Sequence, residues 1–328
     1  MNNKKIYPKI IYNRLRIANK KGIFFTILAM IIISLFALSY SFVSNTNQRD
    51  SVQKRVETLN NYVFSVEEDI SRSLFVLGFR TIFIVEQDVL SPVWVPATNF
   101  TLVFQESFFN GSYKGTHQAL TDGANFTYMV TTLNASAQKV NAIISLQNVS
   151  VYVTQEDPWN VKFVMKSRLI VQDVGNLVSW DKEFLTSADV PIRYFDDPIY
   201  LVNTNKFYSN KAIKTPYDPL SNPANLLNHV VNSHYINYSG APSFIDRLEG
   251  KFTVTSIYGV ESLVNTQKLS NEGFAVQAKS VRDYIYFSAS NPKPICKVNL
   301  PGSPYFIWLD DAGLDIYGVR GISYGCIP

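Results

Sequence analysis

The chain has 328 residues, of which 46% are hydrophobic and 17% charged, with three histidines and two cysteines; this composition suits one to three ordinary folded domains and excludes a disordered or disulfide-dense chain. Its formal charge of +4 is concentrated at one end: seven of the 30 basic residues, Lys4, Lys5, Lys9, Arg14, Arg16, Lys20 and Lys21, fall in the first 21 positions, with no acidic residue among them. The remainder holds 23 basic against 26 acidic residues, so the basic balance does not come from clusters inside a folded part, and nucleic-acid binding is set aside.

Directly after Lys21 come 22 residues without a charge, 22–43. As a helix they reach about 33 Å, enough for a hydrocarbon core of about 30 Å. A cleaved secretory signal has an apolar region of only about 7–15 residues, and the one small-residue site, at 37–39, lies inside the run, so an uncleaved anchor is the better reading. Basic residues are retained on the cytoplasmic side. The expected layout is a cytoplasmic tail or leader at 1–21, a single transmembrane helix at 22–44, and the bulk of the chain extracellular.

From 45 to 88 the spacing predicts an amphipathic stalk helix. Val52, Val56, Leu59, Val63, Val66 and Ile70, continued by Leu74 and Leu77, recur every three or four residues, and charged residues occupy the other faces. No Pro or Gly interrupts residues 23–77, which predicts one continuous helix from about 23 to 80. Its stripe packs either on the chain's own extracellular part or as a seam against neighbouring copies.

Lys20, Lys21 and Gly22, followed at once by an apolar helix that runs into an amphipathic one, resemble the N-terminus of archaeal type IV pilin-like proteins, which carry a class III signal peptide. The resemblance covers roughly residues 18–80. It implies cleavage between Gly22 and Ile23 by a prepilin-type peptidase, with Lys21 and Gly22 as the processing site, and self-association through the helix. The fifth residue after that point is Ile27, where many pilins have Glu. Residues 195–204 and 258–264 are similar to stretches of uncharacterised archaeal membrane-anchored surface proteins, and that similarity implies no activity.

Beyond 89 the pattern changes. Pro92 and Pro96 stop any helix. Val149, Val151 and Val153 alternate with polar or aromatic residues, a turn follows at Asp157, Pro158 and Trp159, and Val161, Phe163 and Met165 alternate on the return, which predicts a hairpin. A further strand is expected at 177–186. Residues 89–208 are thus expected to be β-rich and sandwich-like. Pro216, Pro219 and Pro223 mark a connector, beyond which 209–328 reads as α+β: a short helix near 226–235, another from a capping box at Ser243 and Asp246, and strands at 252–258, 284–287 and 305–309. The fold class is therefore α+β, a long N-terminal transmembrane and stalk helix followed by a mostly antiparallel β ectodomain with a few short helices.

Asn99, Asn110, Asn125, Asn134, Asn148 and Asn237 each begin an N-glycosylation sequon. About four matches arise by chance at such composition, but five of the six lie between 99 and 148. Cys296 and Cys326 form an even pair in the expected extracellular part, which predicts a disulfide closing the C-terminus; two buried thiols are the alternative.

Catalytic motifs are missing from the sequence. His229 and His234 lie five apart, which does not align them for one metal. Asp196 with Asp197 and Asp310 with Asp311 read as solvated turn residues rather than a catalytic or Ca²⁺ pair. No cofactor is expected. The expected role is that of a membrane-anchored extracellular structural or interaction protein, pilin-like or a cell-surface subunit, with the membrane, other copies and the peptidase as partners and no nucleic acid. The alternative is a tethered extracellular enzyme or a glycan-binding ectodomain.

Overall fold

A computed structural model describes residues 15–91, 94–300 and 306–328. The expectations resting on residues 1–14, Pro92 and Tyr305 fall outside these, as does the side chain of Lys21. The protein is α+β, with one long apolar helix near its N-terminus and antiparallel sheets. It forms two compact units, residues 1–61 and 62–328.

Helix α1 runs Leu15–Val89, 75 residues, longer at both ends than the span its sequence predicts. In the first unit every side chain from 22 to 43 is exposed, among them Ile23, Phe24, Phe25, Ile32, Leu35 and Phe36. The hydroxyls of Thr26 and Ser34 donate back to the carbonyls of Ile23 and Met30, which satisfies them within the helix.

In the second unit the other part of α1 lies in the core. Val63, Val66, Ile70, Leu74 and Leu77 are 0–3% exposed, so this length of the stripe packs on the chain's own domain and is not a free seam. In the first unit Val52 and Val56 are exposed, at 41% and 38%, while Leu59 is buried.

The chain continues through α2 (Phe100–Asn110), the two-residue strands β1 (Ser112–Tyr113) and β2 (Thr116–His117), and α3 (Phe126–Lys139). Next comes a meander of β3 (Ala142–Asp157), β4 (Asn160–Asp173) and β5 (Ser179–Pro191), antiparallel in that order. The predicted hairpin is present, with Val151 opposite Met165 and Val153 opposite Phe163. Along β4 the alternate residues Val161, Phe163, Met165, Leu169 and Val171 are buried, as a strand with one core face requires.

Helices cover this sheet, which departs from the expected sandwich. Gly78 of α1 lies so close to β4 that a side chain there would begin 2.5 Å from the Phe163 ring. The Ser71 hydroxyl donates to Ser187 of β5 and that of Tyr62 to Leu133 of α3. Phe104 of α2 meets Phe163 with ring centres 4.6 Å apart, and Phe108 meets Phe126 at 5.4 Å. On β3, the Thr101 hydroxyl bonds both the N–H and the carbonyl of Val153, and the Gln105 amide donates to Val151.

Helices α2 and α3 fall where strands were expected to dominate. Asn99 and Asn125 cap them, each accepting an N–H from three residues on, and their buried residues follow helical spacing, as in Met129, Leu133 and Ala137.

The remaining elements are α4 (Pro198–Asn203), α5 (Pro223–Asn232), β6 (Tyr235–Asn237), α6 (Phe244–Leu248), β7 (Val260–Ser262), α7 (Thr266–Asn271), α8 (Asp283–Tyr286), β8 (Ile295–Asn299), β9 (Phe306–Asp310), α9 (Asp311–Ile316) and β10 (Ser323–Ile327). The capping box at Ser243 and Asp246 is formed. The strand expected at 284–287 is instead the turn of α8, because the N–H groups of Tyr286 and Phe287 bond back to the carbonyls of Arg282 and Asp283, four residues before each. Residues 252–258 hold no strand. The connector read at 209–223 has no helix or strand before Pro223, where α5 begins.

Candidate functional site

The densest concentration of ionisable groups lies in the second unit, around two buried arginines. Arg247 of α6 is fully buried. Its Nη1 pairs with Asp197 and donates to Asp283 Oδ2 at 2.9 Å, its Nη2 bonds the Val260 carbonyl, and its Nε reaches the Pro242 carbonyl at 3.4 Å. Asp197 caps α4 through the Ile199 N–H at 2.8 Å and accepts the Tyr235 hydroxyl at 2.7 Å. Asp283 accepts both the N–H and the hydroxyl of Ser262, at 3.0 and 2.9 Å.

One residue along each segment, Arg282 makes a second set. Its Nε and Nη2 donate to Glu261 Oε2 at 3.0 and 2.8 Å, and its Nη1 to Asp310 Oδ2 at 3.1 Å. The guanidinium lies over the rings of Tyr238 and Tyr284, 4.9 and 5.2 Å from their centres, as a weakly hydrated planar cation favours.

Four carboxylates thus surround two guanidinium groups, all at most 5% exposed. Desolvation opposes the charge on Arg247, but Asp197 and Asp283 outweigh it and its pKa rises. Burial pushes Glu261 up to about 7 against the pull of Arg282. Asp197 and Asp310 were expected to be solvated turn residues; both are buried here, and only Asp311 and Asp315 are exposed, paired with Arg320.

Cavities border this unit. One of 340 Å³ is lined by Asn203, Phe274, Tyr286 and their neighbours, and an open groove of 480 Å³ by Glu68, Arg72, Phe75 and residues 187–189. None of the ion-pair residues faces either. The network fastens α4, α6, β7, α8 and β9 together. Sequence periodicity carries no sign of it, since a buried Arg and a solvated one look the same in a pattern of polar positions.

His229 is buried with neither ring nitrogen hydrogen-bonded, and burial, with His234 nearby, pulls its pKa down to about 3. It is therefore neutral. His117 is exposed beside Asp122. Among the described residues no group of three His, Cys, Asp or Glu is placed to hold a metal ion.

The remaining sequence-derived sites are scattered. Gly22 is exposed on α1 with no side chain near it. Cys296 of β8 and Cys326 of β10 are bonded, S–S 2.06 Å, in the antiparallel sheet ordered β10, β8, β9. Of the sequon asparagines, Asn125 is half-buried and the other five are exposed.

Comparison of the chain with protein-family models, with curated proteins and with solved structures finds no match.

Proposed function

We propose that this is a single-pass, membrane-anchored surface protein of pilin-like design. Its N-terminus is cytoplasmic, residues 62–328 lie outside the cell, and its role is structural or adhesive rather than catalytic. The carrying observation is the run of exposed apolar side chains on α1 from 23 to 43, a surface that water disfavours and a bilayer accepts. Lys20 and Lys21 before that run set the orientation. A peptidase of prepilin type removes residues 1–22.

Support for self-association comes from the side of α1 turned away from its own core. Phe64 and Phe75 are 58% and 37% exposed. Eleven residues apart, they stand within about 20° of each other round the helix, on the side opposite the buried Val66 and Leu77. The occupant proposed for this face is the same face of a second copy.

The test is the mature N-terminus of the protein extracted from its native membrane, determined by mass spectrometry. A start at Ile23 is expected. A start at Met1 or Asn2 removes the pilin-type processing and leaves a plain anchor. Cross-linking in membranes of Phe64→Glu and Phe75→Glu variants tests assembly: the expected result is loss of cross-linked species with an unchanged melting temperature.

A further inference from the structure

Six sequons share one sequence pattern, but the fold treats their side chains differently. N-glycosyl transfer needs two free groups. The Asn carboxamide nitrogen forms the new bond to the sugar, and the hydroxyl two residues on must be open to the transferase.

In four sequons the fold has already used one or both. Asn99 Oδ1 accepts the Leu102 N–H, and its partner hydroxyl, Thr101, is bonded to Val153. Asn125 is half-buried, with Oδ1 on the Tyr128 N–H at 3.0 Å and its amide nitrogen packed against Gly111. Asn134 lies within α3, where the Ser136 hydroxyl donates to Leu133 at 2.8 Å and meets the Tyr62 hydroxyl at 3.3 Å. Following Asn110, the Ser112 hydroxyl donates to Glu106 at 2.9 Å.

The other two are open. Asn148 is exposed at φ +52°, where the β3–β4 register slips between Gln147 and Ser150, and Ser150 is exposed as well. Such a bulge turns its residue out of the ladder. Asn237 ends β6 at the surface, with Ser239 also exposed. These side chains have no hydrogen-bond partner among the described residues.

The geometry points to Asn148 and Asn237 as the two positions at which the folded chain takes an N-linked glycan. The inference rests on the extracellular placement proposed above. The donor is a sugar carried on a lipid-linked phosphate. The Nδ2 lone pair forms a bond to the anomeric carbon, the bond from that carbon to the phosphate oxygen breaks, the lipid phosphate leaves with the electron pair, and the amide proton passes to a base of the transferase. No redox change is involved.

Glycopeptide mass mapping of the full chain from its native membrane reads out each site. Attachment at Asn148 and Asn237, with the other four bare, is the expected result. Ser150→Ala and Ser239→Ala should each remove one glycan from the intact mass and lower occupancy at their own Asn at least tenfold. Ser150→Thr and Ser239→Thr should retain it, and none of the four should shift the melting temperature. Bare Asn148 and Asn237, or glycans confined to the other four, overturn the inference. Protease shaving of intact cells separates the two failures: release of fragments from 62–328 with both sites bare sinks the glycan assignment alone, whereas a protected chain sinks the extracellular placement too.

Discussion

Two regions of this chain reverse the usual arrangement of side chains, and they do so in opposite senses. Residues 23–43 of α1 present Ile, Phe and Leu outward with nothing of the chain covering them. Between Asp197 and Asp310, two arginines and four carboxylates are enclosed. The first arrangement is stable only if something outside the chain supplies the apolar surroundings. The second is stable without outside help, because almost every charge has partners: Arg247 alone reaches two carboxylates and two carbonyls. Exposure thus identifies a surface that needs a partner, and burial one that already has it.

The sharpest way to break the enclosed half of this contrast is Arg247→Ala. Asp197 and Asp283 would be left buried and unpaired, at a cost of about 3–5 kcal/mol. Denaturant unfolding of the detergent-solubilised chain should show that loss. A change under about 1 kcal/mol would mean that water enters the network freely. On the exposed half, Ile32→Arg puts a charge in the middle of the apolar run, which costs about 3 kcal/mol for insertion into a bilayer. The variant should move from the carbonate-resistant membrane fraction toward the soluble one, while the fold of 62–328 is unaffected.

Glu86 sharpens the comparison with a group that is buried but poorly compensated. It accepts the Asp196 N–H at 2.6 Å, yet burial raises its pKa from 4.5 to about 7. A carboxyl whose folded pKa lies above its unfolded one binds its proton more tightly when folded. Its contribution to stability is therefore complete below pH 4.5 and is lost as pH rises to about 7. Glu86→Gln keeps the acceptor and removes the titration. It should match the wild type near pH 4.5 and exceed it by about 2–3 kcal/mol at pH 8. Equal stability at both ends would show that Glu86 is solvated.

The smallest expected effect is at Gly78, where α1 meets Phe163. Gly78→Ala adds one methyl group 2.5 Å from the ring, and overpacking of this kind costs about 1–3 kcal/mol. The melting temperature should fall by several degrees although Ala is the better helix former. A rise would show that the helix and sheet can separate to accept it.

Much of α1 and the β3–β4 hairpin was legible because each repeats a period over many residues: three and four from Val52 to Leu77, two from Val149 to Met165. Short elements held by one capping contact were harder to read. Asn99 and Asn125 were read as sequons, although as helix caps before Phe100 and Phe126 they also announced α2 and α3. Residues 284–287 read as a strand in sequence, but they follow Asp283, the first residue of α8, whose carboxylate is fixed by Arg247 and Ser262 from distant segments. The ion network was illegible for the same reason: its ion pairs join residues 21 to 50 positions apart and carry no local mark.

The contacts of α2 with β3 bear on how this chain avoids aggregation. An extended strand at the border of a sheet offers its backbone groups to any other unfinished strand. Thr101 and Gln105 occupy the free N–H of Val153 and the carbonyls of Val151 and Val153. Once α2 docks, that stretch of the border is closed to strangers. A chain caught before docking would be open to edge-to-edge aggregation, so the order in which α2 and the meander form sets how much of the protein reaches its folded state.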